Sequence, residues 1–418
     1  MIKKVLLLFP LSLFIFIRQL YVNLLGVNRD MLTGTLVFAL AFFALLAFCT
    51  RMRQVRPDFL AIDFINFLQL HLAGIAVSAY FVAGRIAPNQ AVFAAYYNCF
   101  APFLIYSGFL LRRTSPLTQR AALIALACTY AVTLCIAICQ SLGVDYWLFE
   151  YDRFGLQKNY LGITRASGLY GTQIDYGLLS FLVFTVAFYC NAQRRHWFAF
   201  TMIGAAAFGI LLSMARMWIG AMAILVFFGV TQIRSIRTRL KAAVVVLIAV
   251  PALYYVGNQL GVVGMLRAVD DYTQDSNEGH WLLYQKAPEW LSQYLLVGTG
   301  PGTQNGPDVH DQKVIGDFLF LGTAVEFGGV VGIILVLSRV GTLLIVLRRC
   351  NEPQPDNPLR RIAIAVCVAF LPAAFVDSAF AHLVSIAVFY VICGLYLYDR
   401  VPLIAPVRAR HLPEMQTG

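Results

Sequence analysis

Arg216 stands between two apolar runs with almost no loop around it, in SMARMWIG. An arginine at a membrane boundary is costly unless it snorkels to water or binds something. Arg165 precedes another apolar run, in TRASGLYGTQIDYG. Two guanidinium groups at one depth on different spans would clamp a diphosphate, because their planar forks match phosphate oxygens bidentately. The plainer role for each is an interfacial anchor. Arg267 is a third candidate, with ordinary loop solvation as its competing role.

A proton acceptor has two candidates. His310 lies in GPDVHDQK, flanked by Asp308 and Asp311, just before an apolar run. A carboxylate beside an imidazole supports its pKa, which suits a general base. A polar loop histidine is the alternative. Asp317, Glu326 and Asp377 lie in or at the edge of apolar runs, where carboxylates are functional candidates by default. Asp317 is nearest the outer face and rivals His310 as base, while Glu326 reads as a helix-packing partner or one half of a structural ion pair. No further histidine or cysteine has the spacing to complete a metal site with the Asp-x-His-Asp segment, so no metal and no cofactor are expected. GTGPGTQNG at 298–306 lacks the Lys-Ser/Thr of a nucleotide loop and reads as a turn cluster that shapes its loop. His71 and His382, within or beside spans, read as core polar residues.

The elements that must position these residues are membrane spans. The 418-residue chain is 60% hydrophobic and 13% charged, with a mean hydropathy of +0.72. Soluble domains carry about 25% charged residues. Apolar windows recur throughout and predict an all-α integral membrane protein of about 12 transmembrane helices, near 5–25, 31–49, 59–83, 91–111, 121–142, 168–190, 197–214, 217–232, 242–258, 317–347, 362–377 and 383–398. The 317–347 run is long for one helix and is expected to tilt or break at Gly328–Gly329. Barrel strands would be short and alternating. The organisation is nine spans with short loops in 1–258, a large loop in 259–316, three spans in 317–398 and a tail in 399–418.

Charge orients the chain. The short basic breaks hold 21 of the 32 Lys and Arg residues, and with Lys3 and Lys4 inside every one of them falls on the same side. The positive-inside rule then puts both termini in the cytoplasm and the large loop on the outer side of the membrane. The first apolar run reads as an uncleaved span, since no A-x-A-like site follows. The basic clusters are short and scattered, which argues against a nucleic-acid partner. Three features land outside: a loop at 143–167, the tight connection at Arg216, and the loop 259–316 with His280 and His310. Within the last, 280–296 is amphipathic and lies on the membrane surface or packs on the loop's own core. The nine cysteines avoid this loop and read as apolar packers.

The order of these segments resembles the O-antigen ligase/polymerase superfamily of envelope polysaccharide enzymes, over about residues 160–335. RASGLYGTQIDYG looks like its Arg-x-Ser-Gly segment, and SMARMWIG like its short Ser-x-x-Arg segment. DSNEGHWLLYQKAPEW with LLVGTGPGT looks like its loop helix and glycine turn. VHDQKVIGDFLFLGTAVEFGGVVG resembles the stretch that carries a His or Asp. The resemblance implies an integral-membrane glycosyltransferase fold. It implies transfer of an oligosaccharide from undecaprenyl diphosphate to an acceptor hydroxyl, with inversion and without metal. Arg165 and Arg216 would hold the diphosphate, and His310 or Asp317 would be the base. His280 stands where the family usually has arginine, so His280 itself, Arg267 or Lys286 would complete the donor site, or the donor would be held differently. Asp317 falls where many ligases have histidine, which favours the polymerase branch.

The expected partners are a lipid-linked glycan donor, an acceptor glycan or lipid A-core, membrane lipids and other envelope polysaccharide assembly proteins. The first reading is a polysaccharide polymerase and the second a ligase acting on lipid A-core. A lipid-linked oligosaccharide transporter and a non-catalytic scaffold are further readings. Transporters tend to show paired repeats and midplane ionisable sites, and no internal repeat is evident here.

Overall fold

A helix carries a backbone through hydrocarbon because it bonds every interior amide within itself. The computed structural model describes residues 2–26, 29–52, 60–112, 114–144, 166–169, 173–193, 197–213, 215–231, 285–286, 288–303, 319–350, 360–368 and 383–399. Among the described residues every regular element is helical and no strand occurs. The elements are α1 (Ile2–Phe16), α2 (Arg18–Leu25), α3 (Arg29–Met52), α4 (Leu60–Val82), α5 (Pro88–Ala95), α6 (Ser107–Arg112), α7 (Pro116–Ser141), α8 (Gln173–Gln193), α9 (Trp197–Ser213), α10 (Arg216–Thr231), α11 (Leu319–Phe327), α12 (Gly329–Cys350) and α13 (Leu383–Asp399). Four of them are long and apolar enough to cross a membrane: α3, α4, α7 and α12. The pair α1 and α2 makes a fifth if counted as one bent span. The chain is an all-α membrane protein.

Two expected spans differ from simple helices. The run 5–25 turns by 95° between Phe16 and Arg18. The run 91–111 is helical but changes pitch, with a π-turn at Tyr96–Phe100 and a 3₁₀ stretch at Ala101–Tyr106. Pro102 explains the change: it lacks the N–H that would bond the Asn98 carbonyl, and its ring crowds that carbonyl. The third irregularity follows the sequence. The run 317–347 breaks at Gly328, whose φ of +84° lies in the region glycine favours. The expected span 242–258, most of 362–377 and most of the loop 259–316 lie outside the described residues.

Contacts fix which ends lie together. Lys4 Nζ donates to Thr118 Oγ1 at 2.7 Å, Thr129 bonds Ser12 at 2.9 Å, and Ile17 packs with Ile136. Helices α1 and α7 therefore run parallel. Gly341 of α12 faces Ile65 of α4, while Tyr80 near the end of α4 donates at 2.9 Å to the carbonyl of Gly298, which lies against Gly328 at the start of α12. Those two helices run antiparallel. Phe38, Phe42, Phe64, Leu337 and Leu344 are exposed on the rim, as lipid-facing side chains must be, and Trp218, Tyr96, Tyr106, Tyr130 and Tyr390 fill the interior. Cys99, Cys367 and Cys393 are buried packers.

One crossing is unusually close. A Cβ on Gly394 of α13 would stand 1.9 Å from the Ile105 carbonyl oxygen, and one on Gly108 of α6 would stand 2.2 Å from the Gly394 carbonyl carbon. Small residues let backbones touch where lipid offers no hydrophobic drive to association. Gly394→Leu should lower the unfolding temperature in detergent by several degrees, in line with an overpacking cost of about 1–3 kcal/mol. An unchanged unfolding temperature would remove this crossing from the forces that hold the bundle.

Candidate functional site

The start of α8 is set by a turn that cannot hold itself together. Gly168 and Leu169 both have positive φ, +55° and +60°. Glycine is required at 168 because a Cβ would stand 2.6 Å from Thr133 Cγ2 and 2.9 Å from the Thr133 carbonyl oxygen. The amides of Ser167 and Gly168 both donate to Gln140 Oε1, at 3.1 and 2.9 Å. Gln140 sits in the last turn of α7 and gives these two buried N–H groups the partner that water cannot supply. The Ala166 amide donates to Leu212 O at 3.2 Å, which joins the turn to the end of α9.

The α9–α10 connection closes the other side. Ser213 Oγ accepts from the Ala215 amide at 3.2 Å and donates to Ile210 O at 2.7 Å. Helix α10 then opens at Arg216. Trp218 Nε1 donates to Ile174 O in the first turn of α8 at 2.9 Å, and its ring stacks on Phe181 at 5.4 Å. Gly177 admits the indole: a Cβ there would stand 2.5 Å from Trp218 Cδ1. Helices α8 and α10 thus begin side by side. Their first-turn amides and macrodipoles favour an anion at this end. Ser167 Oγ and Gln173 Oε1, each 7% exposed by residue, have no hydrogen-bond partner among the described residues. Helix α13 adds a third wall, with Ser385 donating to Asp175 Oδ1 at 3.0 Å and Leu383 O accepting from Tyr96 at 3.1 Å.

Arg216 opens α10, and its side chain lies outside the described residues. Arg165 immediately precedes the described turn and, like Arg267, His280, His310, Asp317, Asp377 and His382, lies outside them. The segments that carry Arg165 and Arg216 are nonetheless joined, through Ala166 to Leu212 and Ile174 to Trp218. Sequence reading missed Gln140 and Asp175, which look like ordinary residues at span ends. It also missed Arg339, 3% exposed within α12, which donates to Asn98 Oδ1 and to Thr323 Oγ1. Glu326, also 3% exposed, lies within electrostatic reach of Arg339, which fits a structural partner. His71 is not a core residue: it is exposed on α4 and contacts its own helix at Phe67 O, 2.7 Å away.

The glycine turn does more than shape its loop. It docks into the break between α11 and α12. The Thr299 amide donates to Val325 O at 3.0 Å and the Gly300 amide to Glu326 O at 3.1 Å. In return, the amides of Gly329 and Val330 donate to Tyr294 O and Leu295 O, at 2.9 and 3.3 Å. Trp290 and Tyr294 pack on Val325 and Leu321, while Leu296 is 83% exposed beside the lipid-facing start of α12. The amphipathic segment, as far as it is described, both packs on the protein and presents apolar side chains outward.

The junction of α8 with α10 depends on Gly177. Gly177→Ala would push the Trp218 indole off Phe181 and part the two helix starts. The unfolding temperature in detergent should fall by several degrees, in line with an overpacking cost of about 1–3 kcal/mol, with insertion into the membrane unchanged. An unchanged unfolding temperature would show that the α8–α10 junction does not depend on Gly177. The chain matches no family model and no curated protein, so this site is read from its own residues and their arrangement.

Proposed function

We propose that the protein is a membrane glycosyltransferase. It transfers an oligosaccharide from undecaprenyl diphosphate to an acceptor hydroxyl at the periplasmic face of the bacterial inner membrane. The reading places it with the O-antigen ligase/polymerase superfamily, as a polysaccharide polymerase with about twelve spans, a periplasmic loop at 259–316 and both termini in the cytoplasm. The observation that carries it is the junction of the 166–169 turn with the α9–α10 connection. That junction brings together the two segments on which Arg165 and Arg216 stand, at the starts of two adjacent helices.

The chemistry asks little else of the protein. The acceptor hydroxyl attacks the anomeric carbon of the donor, the bond from that carbon to the diphosphate oxygen breaks, and undecaprenyl diphosphate leaves. The hydroxyl proton passes to His310 or Asp317. Diphosphate is already a good leaving group, so the protein orients the acceptor, takes its proton and stabilises charge on the departing oxygens. Arg165 and Arg216 would serve the departing diphosphate, with Arg267 or His280 from the loop completing its shell.

Reconstitution tests the reading. Purified protein given undecaprenyl-diphosphate oligosaccharide alone should produce a ladder of longer glycans. Product only when lipid A-core is added would make it a ligase instead, and movement of unchanged donor across vesicles would make it a transporter. Arg216→Ala should abolish transfer while the protein still inserts. His310→Ala and Asp317→Asn, compared side by side, should include one variant slowed at least tenfold, about 1.4 kcal/mol of barrier. If neither is slowed, the base lies elsewhere.

A further inference from the structure

The segment expected to be a loop outside the membrane returns to the bundle at 288–303. Residues 288–293 are helical, and Trp290 and Tyr294 pack on Leu321 and Val325 of α11. Past Pro288, the exposed side chains of this helix are polar: Glu289, Ser292 and Gln293. Beyond its end the pattern inverts. Leu295, Leu296 and Val297 are 47%, 83% and 55% exposed. Their backbone is fixed. The Gly329 and Val330 amides bond to Tyr294 O and Leu295 O, and a Cβ on Gly329 would stand 2.8 Å from Leu295 Cδ1. Tyr80 holds the far side through Gly298 O. The apolar edge is therefore seated across the end of α4 and the start of α12, and cannot fold its side chains away.

What lies beside this edge identifies its partner. On α12, Val330, Ile333, Leu337 and Leu344 are exposed, and their helical spacing puts them on one face. On α4, Phe64, Ile75 and Val82 are exposed and also share a face. Both helices are long and apolar enough to cross a membrane, so these faces are lipid-facing stripes. The crossing window of α12 runs from Gly329 to Arg348, 20 residues, which at 1.5 Å each spans about 30 Å, the thickness of the hydrocarbon. Val330 stands at one end of that window, and Val82 ends α4. The Leu295–Val297 edge thus continues both stripes at the level where hydrocarbon meets headgroups. Arg85, exposed three residues past Val82, puts at that end a cation of the kind that snorkels to headgroups. Three adjacent apolar side chains held open to water would add to an unfavourable patch, whereas acyl chains would cover them.

We propose that the Leu295–Val297 edge inserts into the leaflet in which α4 ends and α12 begins, with phospholipid acyl chains as its partner. This part of the loop is then a membrane element. The glycine turn that docks into the α11–α12 break is held by the bundle on one side and by lipid on the other. The insertion holds for either orientation of the chain in the membrane and does not need the glycosyltransferase reading.

The test places the photo-crosslinking residue p-benzoylphenylalanine at Leu296, at Leu337 on the α12 stripe, and at Gln293, one at a time in the full chain. Each protein is reconstituted into nanodiscs of phosphatidylethanolamine and phosphatidylglycerol, irradiated, and analysed by mass spectrometry. The expected result is phospholipid adduct at Leu296 as at Leu337, and loss of that adduct at Gln293. Adduct at Leu337 with none at Leu296 would overturn the proposal. Crosslinking of Leu296 to a second copy of the chain would overturn it too, since the edge would then be a protein interface. Equal lipid adduct at Gln293 and Leu296 would also overturn it, because the inverted pattern would not set what meets lipid. If the Leu296 variant does not fold, the probe moves to Val297, with the same expected and overturning results.

Discussion

A backbone that leaves the helix at membrane depth must find its hydrogen bonds inside the protein, and the architecture here follows from how that is done. The chain breaks helix at Ile17, at 166–169, at the Ser213–Arg216 connection and at Gly328. At the last three, partners close by take up the freed backbone groups. Gln140 takes two amides of one break, and Ser213 caps another. The glycine turn and the α11–α12 break exchange four backbone bonds. The open backbone is what leaves helix starts facing a common space. A bundle of unbroken helices would have no directed amides at this depth.

The same constraint governs the charged residues in the interior. Arg339 is held by Asn98 and Thr323, with Glu326 nearby, so the ion is embedded with hydrogen-bonding groups around it. Asn98 can serve because it lies in the π-turn, and the π-turn exists because Pro102 takes a donor out of the helix. Glu326 contributes twice: it lies within electrostatic reach of Arg339 and its carbonyl accepts the Gly300 amide. The buried ion and the loop's glycine turn therefore share one neighbour, Glu326.

Much of this was legible in sequence where one residue type dominates a window. The helices at 31–50, 60–82 and 117–141 follow from apolar length alone, and the break at Gly328–Gly329 from two glycines in an overlong run. Arg165 and Arg216 stood out because they sit where windows end. Arg18 and Arg339 did not, since one charge among some twenty apolar residues barely moves a hydropathy average. The bend at Ile17 was invisible for a different reason. No proline or glycine causes it; it comes from the seat that Ile136 and Leu169 offer to Ile17 and Leu20. Contacts between distant segments leave no local mark. Gln140 and Asp175 are polar residues at span ends, and only the fold shows that one holds the 166–169 turn and the other ties α8 to α13.

Asp175 raises the question of why a site proposed for a diphosphate should hold a carboxylate. Its position answers it. In the first turn of α8 a negative charge is favoured by the helix amides and dipole, and Ser385 adds a further donor. A pocket lined only by arginines and helix starts would repel itself when empty. A carboxylate secured at the helix start offsets part of that repulsion.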